Sequence, residues 1–244
     1  VVTVACLCPT YRRPARLVAN AIACFQAQTY SEDCRRLIVL DDAGELSPRS
    51  GPGWEIVSVQ NRYPTLPAKY NALAKLAAGA DAFVVWEDDD IYLPWHVEAH
   101  AAALANAPWS HPSRVWSLYR GLHEELAGGR FHAALAFRRE ALEEVGGWPN
   151  TSRGDFDQQL MAVFSRRFGT PADPCDGYAP SYLFRWGSTG SYHGQAFMAG
   201  RGADGDWYGK MPDRIEPRGG DIAIRPKLDE ETEAIFKVAA SFGA

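Results

Sequence analysis

The chain predicts an α/β protein built on a Rossmann-like half. Three observations carry this. Short apolar runs of strand length alternate with stretches of helical period through the first hundred residues. Three of those runs end in polar or acidic loops: Pro9-Thr10-Tyr11, Asp41-Asp42 and Glu87-Asp88-Asp89-Asp90. The order strand, helix, strand, strand, helix, strand lines those ends along one edge of a parallel sheet, where open α/β folds place their ligands.

Taken in order, Val1 to Cys8 reads as a buried strand, and Pro9 to Pro14 as a loop. Leu17, Ala21, Cys24, Phe25 and Gln28 follow helical spacing. Arg36 to Leu40 is a second strand, Pro48 to Gly53 a loop, and Trp54 to Val59 a third strand. Pro67 to Ala78 is a helix with Tyr70, Leu73, Ala74 and Ala77 on one face. Ala82 to Trp86 is the fourth strand, and Pro94 to Ala107 a helix. Val115 to Leu118 and Phe131 to Phe137 read as strands, with Gly128-Gly129 as a turn between them. Arg139 to Val145 is a short helix stopped by Gly146-Gly147, and Asp155 to Phe168 a helix. Residues 169–225 are irregular, and Asp229 caps a last helix to Ser241. A boundary near Ala107 divides residues 1–107 from 108–244, within one domain overall.

With 244 residues and 46% hydrophobic content, the chain can bury a sizeable core. Net charge is −5 and no basic stripe is present, which argues against nucleic acid as a partner. No apolar run approaches the ~20 residues of a membrane span. No signal-peptide pattern is visible, and five cysteines without a framework spacing read as reduced, mostly buried thiols. The expectation is a cytoplasmic protein of open oligomeric state.

Four adjacent carboxylates repel one another unless a cation neutralises them. All-oxygen ligands suit Mg²⁺ or Mn²⁺, which usually sits between one or two carboxylates and a substrate phosphate. Strand alternation puts Glu87 and Asp89 on one face, and Asp88 and Asp90 on the other. A solvated acidic turn is the plainer reading of an isolated run; the converging strand ends favour a site. His96 and His100, with Glu98 between them, lack the His-Glu-x-x-His spacing and are expected on a solvated helix face.

A resemblance emerges from five segments in order. They are Cys8-Pro9-Thr10-Tyr11-Arg12-Arg13, Leu37 to Gly44, the acidic run with Ile91-Tyr92-Leu93-Pro94, Gly146-Gly147-Trp148, and Gly154-Asp155-Phe156-Asp157. Together they resemble the inverting family-2 glycosyltransferases of the GT-A fold, over about residues 1 to 168. The resemblance implies a nucleotide-binding half, a mixed central sheet flanked by helices, and an irregular C-terminal acceptor region. It implies transfer of a sugar from a nucleotide diphosphate sugar, UDP being the commonest, to a hydroxyl-bearing glycan or small molecule. Pro9, Thr10, Tyr11 and Asp42 would meet the nucleobase. Arg13 or Lys69 would meet the diphosphate. Asp88 would touch the ribose or a metal-bound water. Asp89, with His193, would hold Mn²⁺ or Mg²⁺. Asp155 would be the base, with Asp157 its rival, and Trp148 would help form the acceptor and sugar pocket.

Read from the residues alone, Asp155 also fits simple helix capping, Asp41-Asp42 a turn, and Trp148 a core position after a helix stop. A nucleotidyltransferase would show a Gly-rich basic loop after the first strand, and Pro9-Thr10-Tyr11 has no glycine. A non-catalytic nucleotide- or glycan-binding module would not need acids at both Asp89 and Asp155. Arg201 to Asp206 fits a loop closing over a donor, or a plain surface loop.

Overall fold

A computed structural model describes residues 1–118, 121–185 and 222–243. The strands in chain order are β1 (Val4–Thr10), β2 (Arg35–Asp41), β3 (Arg49–Gly51), β4 (Trp54–Ser58), β5 (Ala82–Val85), β6 (Ile91–Tyr92), β7 (Trp109–Ser110), β8 (Arg114–Leu118), β9 (Leu122–Leu126), β10 (Ala136–Arg138) and β11 (Tyr182–Arg185). The helices are α1 (Ala15–Gln26), α2 (Leu66–Leu76), α3 (His96–Ala103), α4 (Arg139–Glu144), α5 (Phe156–Phe168) and α6 (Glu230–Ala240).

A seven-stranded mixed sheet runs β3-β4-β2-β1-β5-β10-β7. Its centre, β4-β2-β1-β5, is parallel, while β3 and β10 pair antiparallel with their neighbours. β7 and β10 come from beyond residue 107, so the two halves of the chain share this sheet. A second sheet runs β6-β11-β8-β9.

The parallel strands are apolar throughout because both faces are covered. Alternation sorts their side chains into two cores. Val4, Cys6, Cys8, Leu37, Val39 and Val84 join Val18, Ile22 and Phe25 of α1 and the second sheet. Ala5, Leu7, Ile38, Leu40, Phe83 and Val85 join Tyr70 and Leu73 of α2, Trp148, and Leu160 and Phe164 of α5. All five cysteines are free, and Cys6, Cys8 and Cys24 are buried. No helix among the described residues is long and apolar enough to cross a membrane.

Several sequence expectations are corrected. β1 runs on through Pro9 and Thr10, because pairing with β2 continues to Thr10↔Asp41. Part of the Pro48–Gly53 loop forms β3, folded back on β4. β8 forms its hairpin with β9, ahead of Gly128-Gly129, rather than with the Phe131 to Phe137 segment. Phe131 takes a left-handed conformation, φ 65°, which turns the chain into a 3-10 turn over His132–Ala134, so only Ala136–Arg138 is extended. The acids do not alternate, since β5 ends at Val85 and residues 88–90 form a bend.

His96 and His100 are the largest reversal: both are fully buried. Their Nδ1 atoms lie 2.9 Å from Ser181 Oγ and Ser110 Oγ, and their rings meet edge to face at 4.6 Å. Each serine meets one ring nitrogen where solvent was expected, and the Nε2 atoms are buried without a hydrogen-bond partner among the described residues.

Candidate active site

Two buried cations tie the strand ends together. Thr65 starts α2 by accepting the Ala68 amide at 3.2 Å, and Pro67 fits the first turn, where no amide partner is required. Lys69 therefore lies just inside the helix. Its ammonium donates to Asp42 Oδ1 at 2.6 Å and to the Thr10 carbonyl at 2.5 Å. Asp42 Oδ2 accepts the Tyr63 amide at 2.9 Å. Burial lowers the Lys69 pKa, against the pull of the Asp42 carboxylate. Lys69 thus staples the ends of β1 and β2, where the sequence suggested a free charge for a diphosphate. Asp42 would otherwise be a buried carboxylate without a cation.

Asp41 organises the loop behind it. It accepts the amides of Ala43, Glu45 and Leu46 and the Ser58 hydroxyl, each at 2.9 Å. Tyr11 is half-buried at the rim. The guanidinium of Arg62 lies 4.1 Å from its ring centroid, and that of Arg12 5.3 Å. Arg62 escaped the sequence reading because it sits in a loop with no periodic pattern.

Arg13 is the second cation. Its Nε lies 3.1 Å from Asp88 Oδ1, and its Nη2 3.1 Å from Asp89 Oδ2. All three side chains are almost fully buried. Burial opposes the Arg13 charge, but Asp88 and Asp89 outweigh it and raise its pKa. Burial pushes Asp88 up to about 6 despite Arg13, and Asp89 adds repulsion. Asp88 Oδ2 is buried without a hydrogen-bond partner, and the nearby Thr10 hydroxyl does not reach bonding geometry. Asp90 faces elsewhere, accepting the Tyr182 hydroxyl at 2.5 Å and the Arg185 amide at 3.0 Å. Among the described residues no three His, Cys, Asp or Glu side chains gather into a metal cage.

Glu87 leads away from this cluster. Its Oε1 accepts the Tyr70 hydroxyl at 2.7 Å and lies 3.9 Å from His132 Nδ1. Trp148 Nε1 donates to His132 Nε2 at 3.0 Å. Sequence reasoning missed His132, which stands in an apolar run. Trp148 is 2% exposed and stacks on Tyr70 at 5.0 Å, so in this structure it packs in the core instead of presenting a face to a sugar. Asn71 clamps its backbone, accepting the Trp148 amide at 2.9 Å and donating to its carbonyl at 3.0 Å. Gly147, φ 88°, is needed there: a Cβ would lie 2.5 Å from Asn71 Oδ1.

Asp155 stands at the N-terminus of α5 but its side chain makes no capping bond. Arg153 grips it with two bonds of 3.1 Å, and Gln159 Nε2 donates to it at 2.9 Å. The carboxylate is 45% exposed. Asp157 Oδ1 accepts the Gln158 amide at 2.7 Å. His193 and the Arg201–Asp206 loop lie outside the described residues.

No protein-family model and no curated protein matches the chain by sequence. Solved structures do match by shape. Residues 1-349 of S. aureus TarS align at TM-score 0.59 with 11% identity, covering 75% of this chain and 60% of that one. The same TarS segment in complex with UDP aligns at TM-score 0.57, with the same identity and coverage. The mannosyltransferase PcManGT from Pyrobaculum calidifontis, in complex with GDP-Man and Mn²⁺, aligns at TM-score 0.58 with 17% identity, covering 88% of this chain and 66% of that one. The chain thus spans about 60 to 66% of the lengths of these solved chains. The seven-stranded mixed sheet, its flanking helices and these neighbours together give the chain a GT-A glycosyltransferase fold.

Proposed function

We propose that the protein is a metal-dependent inverting glycosyltransferase that moves a sugar from a nucleotide diphosphate sugar, UDP first among candidates, to a hydroxyl acceptor. The observation that carries this is the acid pair at the end of β5. Asp88 and Asp89 are buried side by side, and Asp88 Oδ2 has no partner. Oxygen donors packed this way fit a hard divalent cation, and one bound against a substrate phosphate. PcManGT, in complex with Mn²⁺ and GDP-Man, and TarS, in separate complexes with UDP and UDP-GlcNAc, support a nucleotide-sugar donor on the same fold.

Asp89 is the proposed ligand for Mn²⁺ or Mg²⁺, joined by His193. A bound cation would offset the charge developing on the departing nucleoside diphosphate. Arg13, already beside both acids, brings a guanidinium to the same charge. Pro9, Thr10 and Tyr11 line the nucleobase end, with Asp42 held behind them by Lys69. Asp155 removes the acceptor hydroxyl proton as oxygen attacks the anomeric carbon, and the nucleoside diphosphate leaves. Its exposure and polar setting leave it able to meet an acceptor. Asp157, two residues on, is the second candidate. In this reading residues 1–107 bind the donor and 108–244 the acceptor. Five free thiols support a cytoplasmic setting.

Calorimetric titration of UDP, GDP and dTDP, with and without Mn²⁺, on wild type and Asp89→Ala tests the donor site. Metal-dependent binding of one nucleotide, lost in the variant, is expected. No binding of any of them under any metal condition removes the donor-site assignment.

A further inference from the structure

We propose that His132 is a positioning residue that holds the Glu87 carboxylate, the first acid of the run that carries the proposed cation ligand Asp89, and so steadies that run for the transfer reaction; this rests on the transferase reading above.

The hydrogen-bond inventory fixes its tautomer. An indole N–H only donates. Trp148 Nε1, 3.0 Å from His132 Nε2, therefore requires a bare Nε2, and the ring hydrogen sits on Nδ1. Nδ1 faces Glu87 Oε1 at 3.9 Å, the same oxygen that takes the Tyr70 hydroxyl at 2.7 Å. That spacing exceeds a hydrogen bond, and such contacts in unliganded sites tighten when substrate binds.

The surroundings hold the ring still. It meets Tyr70 edge-on at 5.1 Å and Phe156 at 5.4 Å. Phe156 directly follows Asp155 and opens α5. One imidazole thereby touches both the acidic run and the helix that carries the proposed base. Its backbone is equally specified. Phe131 holds φ 65°, costly for an aromatic residue and found where structure over-determines it. The left-handed turn starts the 3-10 turn that presents His132 inward, 7% exposed.

Two substitutions separate this role from simple packing. His132→Asn keeps a donor at the Nδ1 position, toward Glu87. His132→Gln keeps an acceptor at the Nε2 position, toward Trp148. Nucleoside diphosphate release is followed with Mn²⁺, using the UDP-, GDP- or dTDP-sugar whose nucleotide the titration selects. The expectation is that Asn stays within about threefold of wild-type kcat, while Gln falls on the order of ten-fold or more with donor KM unchanged. Trp148→Phe frees the tautomer and gives the same selective kcat loss, which covers the case that either His132 variant fails to fold. Equal kcat in both His132 variants, or losses that track their melting temperatures, overturn the positioning role and leave the transferase reading intact. No release by the wild type with any of the three sugars overturns both.

Discussion

The two ends of the proposed site differ in how they treat a carboxylate. Asp88 and Asp89, at the end of β5, are 2% and 3% exposed and locked onto Arg13. Asp155, at the start of α5, is 45% exposed and held, among the described residues, by the exposed Arg153 and the half-buried Gln159. Burial makes charge at the first place expensive, so it persists only beside a cation. Exposure at the second leaves the carboxylate solvated and weakly held, as a proton acceptor that must meet a second substrate requires. The proposed donor side is tightly paired, and the proposed acceptor side is open.

The sharpest break in this contrast is Arg13→Ala. It leaves two buried acids without their cation and is expected to lower stability by about 3–5 kcal/mol, read as a fall in the urea midpoint. A change below about 1 kcal/mol would mean that the pair is not buried as described.

Acid should act next, through a third buried cluster. Burial drives His96 well below the usual imidazole range and His100 to about 3, where His111 adds to the effect and Asp173 opposes it. Below about pH 6.5 the unfolded chain takes up protons that the folded chain refuses, so stability falls as pH drops through that value, by up to about 1.4 kcal/mol per pH unit for each imidazole. Asp88, raised to about 6, works in the opposite sense. Comparing urea midpoints of wild type and His100→Asn from pH 7.5 to 5 isolates the imidazole: the variant should lose less, and equal slopes would remove the assignment.

Asn71→Ala takes away both bonds to the Trp148 backbone. A loss of about 1–3 kcal/mol is expected in thermal unfolding.

The smallest stability effect belongs to Asp155→Asn, within about 0.5 kcal/mol, with transfer reduced on the order of 10²–10⁴-fold. Retained transfer in this variant, lost instead in Asp157→Asn, would move the base by one half-turn.

Much of the N-terminal half was legible because it is written in short range. The runs at Cys6–Cys8, Leu37–Leu40 and Ala82–Val85 are apolar on both faces, and each ends in the polar residues that the sheet brings to one edge. What sequence could not show depends on partners far along the chain. Lys69 looks like a solvated or ligand-binding lysine until Thr10 and Asp42 close around it. His96 and His100 look like surface residues until Ser181 and Ser110 appear, 85 and 10 positions away. Trp148 reads equally well as a sugar platform or a core residue, and only its stacking on Tyr70 decides where the ring lies. β9 carries Glu124 and Glu125, and its pairing with β8 rather than its composition makes it a strand.

Asp90 has a consequence for anyone rebuilding this protein. Its carboxylate belongs to the acidic run after β5, yet it accepts from the Tyr182 hydroxyl and the Arg185 amide of β11. A chimera that imports a different C-terminal portion with its junction ahead of Tyr182 would strand a buried acid within one residue of the proposed cation ligand. Junctions placed after Arg185 keep that contact, and are where exchange of C-terminal portions should be attempted.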